Sequence, residues 1–266
     1  MSKKDLLLGI FIAFALIVFA KQDYFFNTLP NKILGGGYNK ETLRIVLQTP
    51  LHDLSPHSLN LDDLIRTGNL YEGLVAFDRT LKIVPALAVT WGNVDPLTWD
   101  FKLREEVTFH DGSPFTAQSV VDSFEEGKRD GASQIATLLQ TIQEIKVINP
   151  FEIQIVTVTP DPLILSKLTK FFIHRDGDIG TGPYFMKLFE KGVRLSLTAY
   201  PNYWGQRPAY ETVDYVVTQN KVQRQSDFEQ GLTDILVAVP KEQAITLPKD
   251  QVKSSYSLEV NFMMFK

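Results

Sequence analysis

Cysteine is absent from the 266 residues of the chain. That one absence excludes disulfides, thiolate metal sites, thiol nucleophiles and a lipid-modified cysteine anchor. Histidine is scarce as well, with His52, His57, His110 and His174 making up the complement of four. His52 and His57 flank Pro56 in one loop, without the helical spacing of a metal pair, so both read as solvent-exposed loop histidines. No HExxH, GxSxG or paired-cysteine pattern occurs, and the acidic residues form no pair that stands out as acid and base. The glycine-bearing stretch GTGPYFMK lacks the spacing and the hydroxyl residue of a phosphate-binding loop, and GGGYNKE at 35–41 imitates one still less. The residue types therefore nominate no catalytic group, no metal site and no cofactor. Basic excess is missing too: 27 Lys and Arg are scattered against 31 Asp and Glu for a net charge of -4, so nucleic acid is not an expected partner.

What is present is a globular composition. With 44% hydrophobic and 22% charged residues, the chain can bury a sizeable core in one or two domains. At the N-terminus, Lys3 and Lys4 precede an uncharged apolar run, LLLGIFIAFALIVFA at 6–20. The run fits an export signal with a positive n-region and an apolar h-region. As a helix it would reach about 22 Å, short of a hydrocarbon core of about 30 Å, a mismatch that bilayer thinning and snorkelling lysines can absorb. Residues 1–23 are thus a signal peptide or an N-terminal membrane anchor, and either places the bulk of the chain outside the cytoplasm. Residues 24–40, with Asn27, Pro30 and the triplet Gly35, Gly36 and Gly37, read as a linker.

Further on, the pattern alternates between strand and helix. Strands are expected at 42–48, across TWDFKL, at 142–148 and 152–158, on both sides of the turn at Glu190, Lys191 and Gly192, at 213–218 and at 234–239. In TWDFKL, Trp99, Phe101 and Leu103 take one face while Asp100 and Lys102 take the other. Helices are expected at 62–71, after a Thr116 cap with Val120, Val121 and Phe124 on one face, from Asp161 and Pro162 with Leu163, Ile164, Leu165 and Leu168, and at 222–230 before Gly231. Strand and helix alternating near the C-terminus argue for an α/β lobe. Trp91, Trp99 and Trp204 suit packing better than a sugar platform, and Tyr71, Tyr184 and Tyr203 are weighed the same way.

Between Asn69 and Gly205 stands an ordered series of segments: NLYEGLV, PALAVTW, TWDFKLREEVTFHDGSPFTA, GTGPY and NYWG. The series resembles the family 5 extracellular solute-binding proteins, the receptors that deliver oligopeptides, dipeptides or nickel complexes to ABC importers. The resemblance spans about 42–265. It implies a periplasmic-binding-protein-like α/β fold of the class II, cluster C type. In that fold the family domain would cover 41–266, with a lobe formed by 41–57 and 172–266, an α+β subdomain inserted at 58–171, and a second lobe missing from this sequence. The family's Leu-Asp-Pro in the first loop is replaced here by Leu54-Ser55-Pro56.

The resemblance also implies a non-catalytic, monomeric receptor that traps its solute by closure of two lobes and is recognised by ABC permease subunits. Peptide is the broader use of the family and is the expected solute, with a nickel complex as the alternative. A membrane-tethered extracytoplasmic sensor or scaffold on the same fold is a second class of reading. Ligand-contact candidates follow from where the family's cleft lies: Ser55, His57, Leu59 and Asn60 in the first loop, and Lys170, His174 and Arg175 just before GTGPY. The sequence ending NFMMFK lies in an expected strand at 257–265 that would leave an apolar patch.

Overall fold

The computed structural model describes residues 41–78, 80–129, 133–176 and 179–237, together with 239, 244, 245 and 252. The expected signal or anchor at 1–23, the linker and the strand at 257–265 lie outside the described residues. Among the described residues no helix is long and apolar enough to cross a membrane.

The chain enters through β1 (Thr42–Leu47), whose Leu43, Ile45, Val46 and Leu47 are all buried. Consecutive burial of this kind marks a strand covered on both faces. A loop then leads into α1 (Leu61–Thr67), and β2 (Glu72–Gly73) carries the chain away from the first sheet. A pair of short antiparallel strands follows, β3 (Val75–Phe77) and β4 (Ile83–Pro85). Next come the hairpin of β5 (Ala88–Asp95) and β6 (Thr98–Leu103), the helices α2 (Ala117–Arg129) and α3 (Gln134–Leu139), and the hairpin of β7 (Ile142–Asn149) and β8 (Glu152–Thr157). The two hairpins join into one antiparallel sheet of order β5-β6-β8-β7. Helix α4 (Ile164–Leu168) and strand β9 (Phe172–Ile173) bring the chain back.

Outgoing β2 and returning β9 are antiparallel neighbours, with Glu72 opposite Ile173 and Gly73 opposite Phe172. The inserted unit thus leaves and returns at one place. Beyond it, β10 (Tyr184–Glu190) and β11 (Arg194–Ala199) turn about Gly192, whose φ of 77° suits a residue without a Cβ. Then β12 (Thr212–Val217), α5 (Lys221–Glu229) and β13 (Ile235–Leu236) complete a sheet of order β10-β11-β12-β1-β13, in which β1 runs parallel to both of its neighbours. Helix α5 is the crossover between β12 and β13, and a parallel pairing requires such a connection.

Two buried cores correspond to the two sheets. The inserted one gathers Leu74, Phe101, Phe109, Phe115, Phe124 and Ile153 among others. The other gathers Leu43, Ile45, Leu195, Leu197 and Tyr215, and it also takes Leu64, Leu70 and Tyr71 from the segment between β1 and β2. Most expected elements fall where the hydrophobic period put them. In β6, Phe101 and Leu103 are buried and Lys102 is exposed, while Trp99 is half-buried. Helix α2 buries Val120 and Phe124. Asp161 accepts the Leu163 N–H at 3.0 Å at the head of α4, with its carboxylate also held by Lys167 Nζ and Thr141 Oγ1, each at 2.6 Å. Leu163 itself faces solvent, contrary to its place in the expected apolar face, because the helix it leads is a short one beginning at Ile164.

Candidate functional site

The segments that made the sequence legible converge on one carboxyl group. Glu72, from NLYEGLV, accepts hydrogen bonds from Thr181 Oγ1 of GTGPY at 2.9 Å, from Tyr203 Oη at 3.0 Å and from Trp204 Nε1 of NYWG at 2.8 Å. Arg104, the residue after β6, lays its guanidinium over the Trp204 ring at 3.9 Å. Burial drives the Glu72 carboxyl up from its ordinary 4.5 to about 7, outweighing the three donors and Arg104, which all favour the ionised form.

The FHDG turn docks on the same glycine segment. His110 accepts the Gly180 N–H at Nδ1 (3.3 Å), which leaves Nε2 protonated to donate to the Gly182 carbonyl at 3.1 Å. Desolvation holds the His110 pKa below the ordinary imidazole value. GTGPY needs its glycines for close approach. A Cβ at Gly180 would lie 2.0 Å from the Leu70 carbonyl oxygen, and one at Gly182 would lie 2.5 Å from that of Asn69. These contacts fasten the base of the inserted unit to the first sheet. They are architecture, and the tryptophan of NYWG is part of it.

The loop after β1 leaves from the carboxyl end of a strand flanked by two parallel neighbours. In open α/β sheets that is where ligands are received. Ser55 Oγ accepts the His57 N–H at 3.1 Å, and the Ser55 N–H donates to Asp53 Oδ1 at 2.9 Å, so the loop is braced by its own side chains. Leu59 packs against the core of the inserted unit. Asn60 leads into α1: its carbonyl accepts the Leu64 N–H and its own N–H donates to Ser58 Oγ.

The structure brings His57 and His174 together across 117 residues, with their Nε2 atoms 3.1 Å apart and their rings near perpendicular at 74°. His52 is exposed, as a loop histidine was expected to be, whereas His57 is half-buried against the inserted unit. His174 follows β9 directly and is 2% exposed. Its backbone N–H donates to Ser123 Oγ and its carbonyl accepts from the same hydroxyl, each at 3.1 Å, which sets β9 against α2. Burial and the neighbouring His57 push the His174 pKa down to about 4, against an upward pull from Glu126. Lys170 and Arg175 do not join this pair: Lys170 is exposed beyond α4, and Arg175 forms a bridge with Ile179 and holds its guanidinium 5.9 Å from the Phe109 ring. Glu126 escaped the sequence reading because it lies 48 to 69 positions from the histidines, and no local pattern announces it.

Comparison with known proteins fits this architecture. Residues 82–266 match the family described as bacterial extracellular solute-binding proteins, family 5 middle. The chain is 27% identical over 202 residues to the nickel-binding periplasmic protein of Escherichia coli, covering 69% of this chain and 38% of that one. It is 26% identical over 206 residues to the dipeptide-binding protein of the same organism, covering 63% and 38%. Among solved structures, the periplasmic binding protein DppA from Helicobacter pylori, in complex with the peptide STSA, superposes with a TM-score of 0.70 at 24% identity, over 78% of this chain and 49% of that one. The fold is that of a periplasmic binding protein. The chain belongs to the family 5 solute-binding proteins, and it spans about two fifths of the length of the two curated relatives.

Proposed function

We propose that the protein is an extracytoplasmic substrate-binding component of an ABC importer, taking a peptide as its solute through closure of two lobes. What carries the reading is the loop after β1. It sits at the carboxyl end of a parallel strand, beside an inserted unit fastened by the contacts around Glu72, in a chain of this family. Such an arrangement gives a fastened floor beside a loop that is open to solvent at His52, Asp53 and Asn60. The candidate contacts are Ser55, His57, Leu59, Asn60, Lys170, His174 and Arg175, with Leu59 acting chiefly as the anchor of the loop. Closure around a bound solute is the signal a permease would read. Export is supported by the lysines and apolar run at the N-terminus. The lobe is assigned to 41–57 and 172–266 and the inserted subdomain to 58–171, with Leu64, Leu70 and Tyr71 of its first stretch packing back on the core of the lobe before the chain leaves at β2.

Calorimetry of the protein against di- and oligopeptides tests the reading. Saturable peptide binding supports it. Binding of a nickel complex with no response to peptides would move the protein to the nickel-binding members. Silence towards both would favour the sensor or scaffold reading. A cytoplasm-dependent reporter fused after Lys266 should be inactive, and its full activity would overturn the assigned location.

A further inference from the structure

The histidine pair has a third neighbour that the solute reading does not use. Glu126 projects from α2, exposed, and its carboxylate lies with one ring nitrogen of His57 and one of His174 in a group whose atoms are all within 4.8 Å of one another. We propose that His57, Glu126 and His174 form a binding site for one divalent late transition-metal ion, held by the protein's own side chains and independent of any solute.

The geometry carries this in three steps. Two Nε2 atoms 3.1 Å apart, each at about 2.05 Å from a shared ion, subtend about 98° at the metal, between the right angle of octahedral coordination and the tetrahedral angle. The two nitrogens meet from unrelated segments, the loop after β1 and the end of β9. Their backbones are fixed before any ion arrives, His57 by the Ser55 hydroxyl and His174 by the Ser123 hydroxyl. Finally, the carboxylate needs to move by no more than about 1.8 Å to reach a ligand-to-ligand spacing of about 3 Å. Glu126 is an exposed side chain on a helix, so a change of rotamer is enough. Gly127 beside it keeps the helix surface low: a Cβ there would stand 3.8 Å from His57 Nε2.

The donor set sorts the ion. Two imidazoles and one carboxylate suit zinc, nickel or copper rather than calcium or magnesium. Metal binding would place the ring proton of His174 on Nδ1, which is buried with no hydrogen-bond partner among the described residues. Lack of an outer-shell acceptor lowers affinity by roughly tenfold to a hundredfold, so a micromolar site is expected instead of a tight structural one. The ion would bridge the loop after β1 to α2 and β9, tying the first sheet to the inserted unit at a place apart from the contacts of Glu72 and His110.

The test is calorimetric titration of the full chain with zinc chloride, repeated with nickel chloride, in buffer free of chelators and of peptide. One equivalent should bind with micromolar affinity and raise the unfolding temperature. His57→Gln and Glu126→Gln change partly or fully exposed side chains and should leave the metal-free unfolding temperature in place, yet each should weaken binding by at least about tenfold. His52→Gln should bind like the unaltered protein. Absence of saturable binding, unchanged affinity in both site variants, or loss of binding in His52→Gln would each overturn the site. Because no peptide is present, failure of the peptide reading does not affect the result.

Discussion

The indole Nε1 of Trp204 donates to Oε2 of Glu72 at 2.8 Å across 132 residues of chain. This bond joins NLYEGLV to NYWG, and Thr181 of GTGPY bonds to the same carboxylate oxygen. Segments that look like independent signatures are parts of one polar contact at the root of the inserted unit. Their order in the sequence is the order in which the chain passes that root.

The Glu72 carboxyl should make stability depend on pH. Its pKa is raised from 4.5 to about 7, chiefly by burial, so the folded state holds the proton more tightly than the unfolded chain. The stability linked to the proton is complete below about pH 4.5 and is lost as pH rises through about 7. Glu72→Gln removes this dependence while keeping an oxygen for Trp204. Urea unfolding from pH 4 to 8 should show the variant gaining on the unaltered protein as pH rises, and a constant difference would refute the assignment.

Truncating the same residue should be costly at any pH. Glu72→Ala leaves the Trp204 N–H and its companions without their acceptor, at about 3 kcal/mol. Equilibrium unfolding measures this directly, and a loss below about 0.5 kcal/mol would mean that water replaces the carboxylate.

Gly180→Ala should prevent GTGPY from seating. The added carbon would lie 2.0 Å from a backbone oxygen of Leu70 and 2.7 Å from the Tyr71 ring, so chain and not a flexible side-chain tip must shift. About 3 kcal/mol or more should be lost. Gly112→Ala meets no neighbour within 4 Å but has a φ of 83°, so it tests conformational strain alone and should cost less, about 1 kcal/mol. Equal losses in the two variants would contradict the packing argument.

Trp99→Ala should destabilise by about 2 kcal/mol, below the roughly 3–5 kcal/mol of a fully enclosed aromatic, because Trp99 is half-buried at the edge of the inserted core. Thermal or urea unfolding decides. An unchanged midpoint would free the indole for a ligand-facing role.

How much of this was legible depended on the range of the signal. The period-two pattern of TWDFKL and the glycine at the 190–192 turn declared β6 and the β10–β11 hairpin, since each is a local consequence of side-chain alternation or of a positive φ. Helix α3 was missed: six residues led by Ser133, whose hydroxyl accepts the Ala136 N–H, are too few for a period to show. In β11 the consecutive Leu195, Ser196 and Leu197 are all buried, so the strand is covered on both faces there and shows no wet side for a period of two to reveal. The series of segments announced the family but not Glu72 as their meeting point. His57 and His174 were each singled out for a ligand, without any sign that they meet. Such pairings arise from the return of β9 beside β2, which no local pattern encodes.

Hydrogen exchange with and without a saturating mixture of di- and tripeptides tests the central division between a fastened base and a receiving loop. The account predicts that the amides of Ser55 and of 57–60 slow when peptide is added. Those of Gly180, Gly182 and Tyr184, whose N–H groups donate to His110, Leu70 and Asn69, should be protected from the outset and stay unchanged. Protection gained at the glycine segment while Ser55 and 57–60 exchange at their original rates would contradict it.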